Sequence, residues 1–307
     1  MKFSILIPAY KGKYLYDAIS SVLRQTYRNF ELIIVDDCSP ENLDHIVSNF
    51  DDDRIQFYRN DKNCGAKDVV DNWNICLSYA TGEWIICMGD DDMLMPNCLS
   101  EYENLIINNP DVDLIHGRVR QIDDNGDLIC ILEERPQLES SYSYIKARLS
   151  MRKQYIGDFS FRRSRLIKEG GFYSLPFAWG ADDISTFACS YPNGVANTNI
   201  PVFCYRVNNL TISSSKNTDD KLKALKSEQI WLYNFVNEKH PKTELEVEEL
   251  KYLQTSIDKG IDLARFYALQ NELGNSFLRL FICYKLINKH KLSNKILLKL
   301  FLSLFVK

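Results

Sequence analysis

Three short apolar runs, residues 3–7, 30–35 and 84–88, constrain this chain more than any other feature. Runs this brief and this continuous are what strands buried on both faces look like. The segments around them carry apolar residues at helical spacing. Leu15, Ala18, Ile19, Val22 and Leu23 follow the first run, and Leu43, Ile46, Val47 and Phe50 follow the second. Val70, Trp73, Leu77 and Ala80 precede the third, with Gly82 closing that helix. Residues 55–58 read as a further strand. Strands alternating with helices predict an α/β fold with a mostly parallel sheet, and such sheets place ligands beyond the carboxyl ends of their strands. Two runs end there in acid: residues 30–35 lead into Asp36-Asp37, and residues 84–88 into Asp90-Asp91-Asp92 after Gly89.

With 307 residues, 45% of them hydrophobic and 25% charged, the chain has enough material for one large α/β unit and a smaller appended piece. A net charge of -4 argues against nucleic acid as a partner. The nine cysteines stand singly, with no CxxC pair and no zinc spacing, which predicts free thiols in a reduced cytosolic compartment. The apolar run at the amino terminus is too short for a signal peptide or a membrane span. Neither G-x-G-x-x-G nor G-x-x-x-x-G-K-S/T occurs, so dinucleotide-dependent and P-loop enzymes drop out. Residues 113–122 read as a strand, and Asp124-Asn125-Gly126 as a hairpin turn into residues 128–132. Residues 140–215 carry several short elements and loops; from 219 onward the chain is lysine-rich, proline-poor and helical in period.

Carboxylates in a row repel unless a cation sits among them, and hard divalent ions prefer oxygen ligands. Taken alone, Asp90, Asp91 and Asp92 read equally as a metal site or as a solvated turn capping the helix that starts near Pro96. Asp36-Asp37 on the same edge of the sheet favours the metal site, because a structural turn needs no second acidic cluster. His45, His116 and His240 are isolated and receive no role.

These residues resemble family 2 glycosyltransferases. The likeness lies in Ser4-Ile5-Leu6-Ile7-Pro8-Ala9-Tyr10, residues 18–26, Val35-Asp36-Asp37-Cys38-Ser39, Asn72-Trp73-Asn74, residues 80–85, the acidic triplet with Pro96 behind it, Gly170-Gly171-Phe172 and Trp179-Gly180-Ala181-Asp182-Asp183. It covers about residues 3 to 215. The resemblance implies a GT-A fold with a Rossmann-like central sheet: a catalytic domain over 1–218, with a nucleotide-sugar half at about 1–115 and an acceptor half at about 116–218, then a helical extension over 219–307. It implies transfer of a sugar, with inversion, from a nucleoside-diphosphate donor, UDP-sugar favoured, to a hydroxyl of a saccharide or lipid-linked saccharide in bacterial surface polysaccharide synthesis. Pro8, Ala9, Tyr10 and Asp37 then form the base pocket, with Asp37 accepting from a ring N–H and Tyr10 offering a stacking face. Asp90 contacts the ribose, Asp91 holds Mn²⁺ or Mg²⁺ against the diphosphate, and Asp92 assists. Asp183 is the general base, Asp182 is its partner, and Trp179 is a wall beneath a sugar ring. Lys67 lies in a segment that reaches toward the donor.

Two departures stand out. Gly89 sits where relatives often carry an aspartate, and Asn208 replaces a metal-binding histidine after Tyr205-Arg206-Val207, with Arg206 left to contact phosphate. An amide oxygen is the weaker ligand for transition metals. Asn208 is the one hint of the alternative reading, a non-catalytic sugar-nucleotide-binding module. A sugar nucleotidyltransferase, the other alternative, lacks its expected glycine-rich loop near residue 10. In the tail, Arg279, Lys285, Lys289, Lys291, Lys295, Lys299 and Lys307 occur with no acid between them, and Leu292, Ile296, Leu297, Leu300, Phe301, Leu304 and Phe305 fill the other face of a helix. That pattern predicts either a basic amphipathic helix lying on the inner face of the cytoplasmic membrane or a helix docked on protein.

Overall fold

In the computed structural model, which describes residues 1–208, 217–274 and 279–305, the first four strands are β1 (Phe3–Ala9), β2 (Phe30–Asp36), β3 (Ile55–Arg59) and β4 (Trp84–Cys87). β1 pairs in parallel with β2 on one side and β4 on the other, and β3 adds in parallel outside β2. Strand residues point alternately to the two faces, so Ile5 and Ile7 of β1 join one core cluster while Leu6 joins the other. Helix α1 (Leu15–Leu23) covers the first face with Leu15, Ala18, Ile19 and Val22. The short α2 (Leu43–Val47) follows β2, and α3 (Val69–Tyr79) covers the second face with Val70, Trp73, Cys76 and Leu77. Both faces are therefore dry, which is why these strands read as continuous apolar runs.

Beyond β4 the chain runs through β5 (Met93–Leu94), α4 (Cys98–Asn108), β6 (Leu114–Ile122), β7 (Leu128–Ile131), β8 (Leu138–Glu139) and α5 (Ser141–Leu149). β9 (Phe159–Arg162), α6 (Arg163–Lys168), α7 (Ala181–Ser190) and β10 (Val195–Arg206) follow. The strand order is β3-β2-β1-β4-β9-β6-β10-β5, with β7 beside β6 and β8 beside β10. The expected parallel pairing holds in β3-β2-β1-β4 and between β6 and β10, whereas β5, β7, β8 and β9 run antiparallel and make the sheet mixed. The β6–β7 hairpin turns where Asp124-Asn125-Gly126 predicts, with Gly126 at φ 89°.

The extension is α8 (Thr218–Glu238), α9 (Glu244–Leu273), α10 (Leu280–Lys289) and α11 (Asn294–Ser303). Leu232, Phe235 and Val236 of α8 and Leu253, Ile257 and Ile261 of α9 join the core cluster that contains Phe159 and Phe187, so these two helices cover the sheet directly. α10 and α11 pack on the end of α9 through a smaller cluster that includes Leu269, Cys283, Ile287, Ile296 and Leu300. Phe281, Leu298, Phe301, Leu302 and Phe305 stay exposed. Lys307 lies outside the described residues. No described helix is long and apolar enough to cross a membrane, and all nine cysteines are free.

Glu31 closes the amino-terminal edge of the parallel strands. Its carboxylate accepts from Lys2 Nζ at 2.5 Å, Ser4 Oγ at 2.6 Å and Thr81 N at 2.7 Å, which binds β2 to β1 and to the approach of β4. Gly82 is required there, because a Cβ would stand 2.6 Å from Ser4 Oγ and 2.8 Å from Lys2 O. Burial pushes the Glu31 carboxyl up, and the bonds from Lys2, Ser4 and Thr81 outweigh it, bringing the group down to about 2. A depressed carboxyl stabilises the fold above its unfolded value and loses that contribution as pH falls through the folded one. Glu31→Gln is expected to cost about 2 kcal/mol at pH 7 in urea unfolding, a difference that shrinks between pH 4.5 and 2.

Candidate active site

The register that aligns Ala9 with Asp36 and Leu6 with Cys87 sends the loops after β1, β2 and β4 out side by side. Asp37 is buried at the start of its loop and donates its N–H to the Ala9 carbonyl at 2.8 Å. Its Oδ1 accepts from Asn60 Nδ2 and Cys64 N, each at 2.9 Å, so the carboxylate also organises the segment after β3. Burial and the neighbouring Asp37 push the Cys64 thiol up to about 12, which keeps it protonated. Asp36 accepts from Ser39 N at 2.7 Å and from Arg59, and Ser39 Oγ donates to the Tyr10 carbonyl at 2.6 Å. Pro8 and Ala9 are thereby fixed, and the ring of Tyr10 stays exposed at the mouth.

The triplet after β4 divides its work. Asp90 Oδ2 accepts the N–H groups of Tyr10 and Lys11, both at 2.8 Å, and so caps the loop that follows β1. Burial raises this carboxyl to about 6 against those two bonds. Asp92 is buried, and its Oδ1 accepts from Arg206 N at 3.0 Å; burial and the charge of Asp91 hold it well above the usual carboxylate range. Asp91 is the outward member. Its Oδ2 accepts from Asn208 Nδ2 at 2.8 Å, and its Oδ1 accepts no hydrogen bond among the described residues. Gly89 leaves it room, since a Cβ there would lie 2.7 Å from Asp91 Oδ1.

Arg206, which the sequence offers as a phosphate contact, is held among protein groups. It is 1% exposed, and Nε donates to the Asp91 carbonyl at 2.9 Å while Nη1 donates to the Asp123 and Asp124 carbonyls at 3.0 Å. The Tyr14 ring stacks beneath its guanidinium at 4.3 Å. Its place is structural: it ties the end of β10 to the triplet and to the β6–β7 turn. Asn208 likewise presents its N–H, rather than its oxygen, to Asp91.

No three described His, Cys, Asp or Glu side chains converge as a ready-made metal cage; of the residues read as cation ligands, Asp92 accepts from Arg206 N and Asn208 donates to Asp91. The open Oδ1 of Asp91 does fit a Mg²⁺-like ion, which takes one or two carboxylates and completes its shell with water and substrate phosphate.

Asp182 and Asp183 open α7, where the helix dipole favours acid. They are delivered by an unusual turn, with Phe177 at φ 58°, Ala178 at φ 55° and Gly180 at φ 76°. The 66–68 turn carrying the exposed Lys67 packs against this 176–178 turn. Asp183 is buried, and its Oδ1 accepts from Arg148 Nε and Gln154 Nε2, both at 2.6 Å. Burial and the charge of Asp183 raise Asp182 to about 7, with Arg148 acting the other way. The loop that supplies Gln154 also packs on the end of β4, because a Cβ at Gly157 would lie 3.3 Å from Met88 Cα and 2.5 Å from the Phe203 ring. Arg148, Gln154 and Glu228, whose charge also acts on this cluster, carry no sequence signal of a site. Trp179 lines a cavity of about 200 Å³ with Asp183, and Lys221 Nζ sits 3.8 Å over its ring.

A family model described as glycosyl transferase family 2 matches residues 4–170. Among curated proteins, the chain is 34% identical over 124 residues to the Escherichia coli UDP-Glc:alpha-D-GlcNAc-diphosphoundecaprenol beta-1,3-glucosyltransferase WfgD, covering 40% of this chain and 47% of that one. It is 44% identical over 102 residues to the E. coli putative colanic acid biosynthesis glycosyl transferase WcaA, covering 32% and 36%. The chain thus spans less than half the length of these relatives. Among solved structures, S. aureus TarS 1–349 in complex with UDP-GlcNAc superposes with a TM-score of 0.62 at 18% identity, over 92% of this chain and 75% of that one, which shows a shared fold.

Arg206→Met leaves the carbonyls of Asp91, Asp123 and Asp124 without their donor, and is expected to lower stability by about 3 kcal/mol in chemical denaturation.

Proposed function

The chain belongs to glycosyl transferase family 2, and from that premise we propose that it transfers a sugar from a UDP-sugar to a hydroxyl of a saccharide or lipid-linked saccharide, with inversion, in bacterial surface polysaccharide synthesis. The observation that carries the proposal is the gathering of Asp37, Asp90 and Asp91 at one carboxyl edge, braced by the same loop that holds Asp183. The names of the relatives support the substrate classes: WfgD acts on a UDP-linked donor and a diphosphoundecaprenol-linked sugar, and the TarS structure holds UDP-GlcNAc.

In this reading Tyr10 and the Asp37 loop hold the base, and Asp90 exchanges its loop N–H partners for the ribose. Asp91 holds the cation, Mg²⁺ or Mn²⁺, which when bound supplies Lewis-acid neutralisation of the departing diphosphate. The acceptor oxygen forms its bond to the anomeric carbon as the bond to the diphosphate oxygen breaks, the electron pair leaves with UDP, and the proton passes to Asp183. Arg148 and Gln154 hold Oδ1 of that carboxylate in place. Asp182 stands beside it at the start of α7 and adds a second negative charge to the site once ionised. UDP release from a panel of UDP-sugars, with and without Mn²⁺, tests the assignment; a chain that binds UDP but never turns over a UDP-sugar would be a binding module.

Asp183→Asn is expected to lower transfer by about 10³-fold with UDP affinity retained in calorimetry. In the wild type, transfer should rise with pH through about 7, as Asp182 loses its proton. Asp182→Asn should flatten that limb in a pH–rate profile and lower the plateau.

We assign the exposed apolar face of α10 and α11, rimmed by Lys285, Lys295 and Lys299, to the surface of an anionic membrane that carries the acceptor lipid. One face of these helices docks on α9, so docking and membrane contact use different residues. Co-sedimentation with anionic liposomes is expected to fall with salt and to weaken by about 1 kcal/mol for each of these lysines changed to glutamate; binding indifferent to both would refute the assignment.

A further inference from the structure

The extension brings one more carboxyl to the acid pair. Glu228, midway along α8, is 5% exposed and makes no hydrogen bond or ion pair with any described residue. Gly180 lets it approach, as a Cβ there would lie 3.0 Å from Glu228 Oε2. Its carboxyl oxygens are not sealed off but open onto the neighbouring cavity, where a hydroxyl could reach them. Glu228 lines the cavity of about 200 Å³ that it shares with Arg148, Trp179, Asp183, Ala264 and Tyr267. The Trp179 indole N–H also lacks a partner. Burial first, then the charges of Asp183 and Asp182, raise Glu228 well above the usual carboxylate range, against Arg148.

The charge balance selects what can enter. The lining holds one guanidinium, that of Arg148, and Asp183 already pairs with it at 2.6 Å, while Lys221 Nζ is taken up by the Trp179 ring. Arg265 also acts on Glu228, but it is paired with Asp262 at 2.9 Å and donates to Gln229 at 2.7 Å. A buried anionic group would find no free cation to pair with, whereas hydroxyls can bond to carboxyl oxygens and a sugar's C–H face can pack on Trp179. Resting on the glycosyltransferase reading above, we propose that this cavity seats the acceptor, that Glu228 binds an acceptor hydroxyl neighbouring the one Asp183 deprotonates, and that the sugar residue glycosylated is therefore neutral. The helical extension then completes the active site and determines acceptor specificity.

The test offers the full-length protein p-nitrophenyl glycosides of neutral hexoses and N-acetylhexosamines, alongside the matching uronic acids, with its UDP-sugar. Transfer is expected to neutral glycosides only. Glu228→Leu should raise the acceptor KM about fivefold, the loss of one hydrogen bond between uncharged groups, with the KM for the UDP-sugar unchanged. Saturation-transfer NMR on the same glycosides reads binding without turnover; signals should appear with the wild type and vanish in Ala264→Trp, which fills the cavity. Preferred transfer to uronic acids, an acceptor KM unmoved in Glu228→Leu, or no neutral glycoside bound while UDP-sugar is still hydrolysed would each overturn the proposal. Absence of any UDP-sugar turnover would count instead against the glycosyltransferase reading on which it rests.

Discussion

Much of the site hangs on one buried cation. Arg206 sits at the end of β10, far along the chain from the triplet after β4, and its backbone N–H and guanidinium reach Asp92, the Asp91 carbonyl and the turn at Asp123-Asp124. Desolvating a guanidinium is costly, and the bonds to oxygens together with the Tyr14 ring offset that cost. Its reward is geometric. Three loops that leave the sheet at different points are held to one another, so Asp91 is presented outward while Asp92 stays inside. A lysine could not do this, since a point charge with three donors cannot span carbonyls on both sides.

The first half of the molecule was legible because its physics is local. Buried parallel strands must be apolar throughout, and polar residues can return only at their ends, so residues 3–7, 30–35 and 84–88 announced both the strands and the edge where Asp37 and Asp90 emerge. The Asp124-Asn125-Gly126 turn was legible for the same reason. β10 was not, because Asn197, Thr198, Asn199 and Pro201 break its apolar pattern; the structure accommodates them with register shifts around Pro201 against β6. β9 was hidden as well, being four residues long and wedged antiparallel between β4 and β6.

The acid pair shows the same limit at the level of the site. Asp182 and Asp183 were visible as a pair, but their supports come from α5, from the loop at Gln154 and from α8, and none of these has a local pattern that sets it apart from a solvated helix face. Glu228 reads as one more charge on a lysine-rich helix. Only the packing of Leu232, Phe235 and Val236 into the core turns that helix so that Glu228 faces inward. The turn before the pair, with Phe177 and Ala178 in the left-handed region, is strain held by the tertiary structure around it rather than encoded by turn residues.

α9 is a single unbroken rod of 30 residues, and it passes both the cavity beside Asp183 and the base of α10 and α11. From Ala264 at the cavity to Leu273 at its end, a helix rises about 14 Å. A rod of that kind works as a ruler: whatever surface the last two helices rest on is kept at a set height from the point of chemistry. On the proposed placement of those helices at a membrane, acceptors would be selected by reach as well as by shape, since a hydroxyl too close to its anchor could not climb to Asp183 and one far out along a flexible glycan would visit it only rarely.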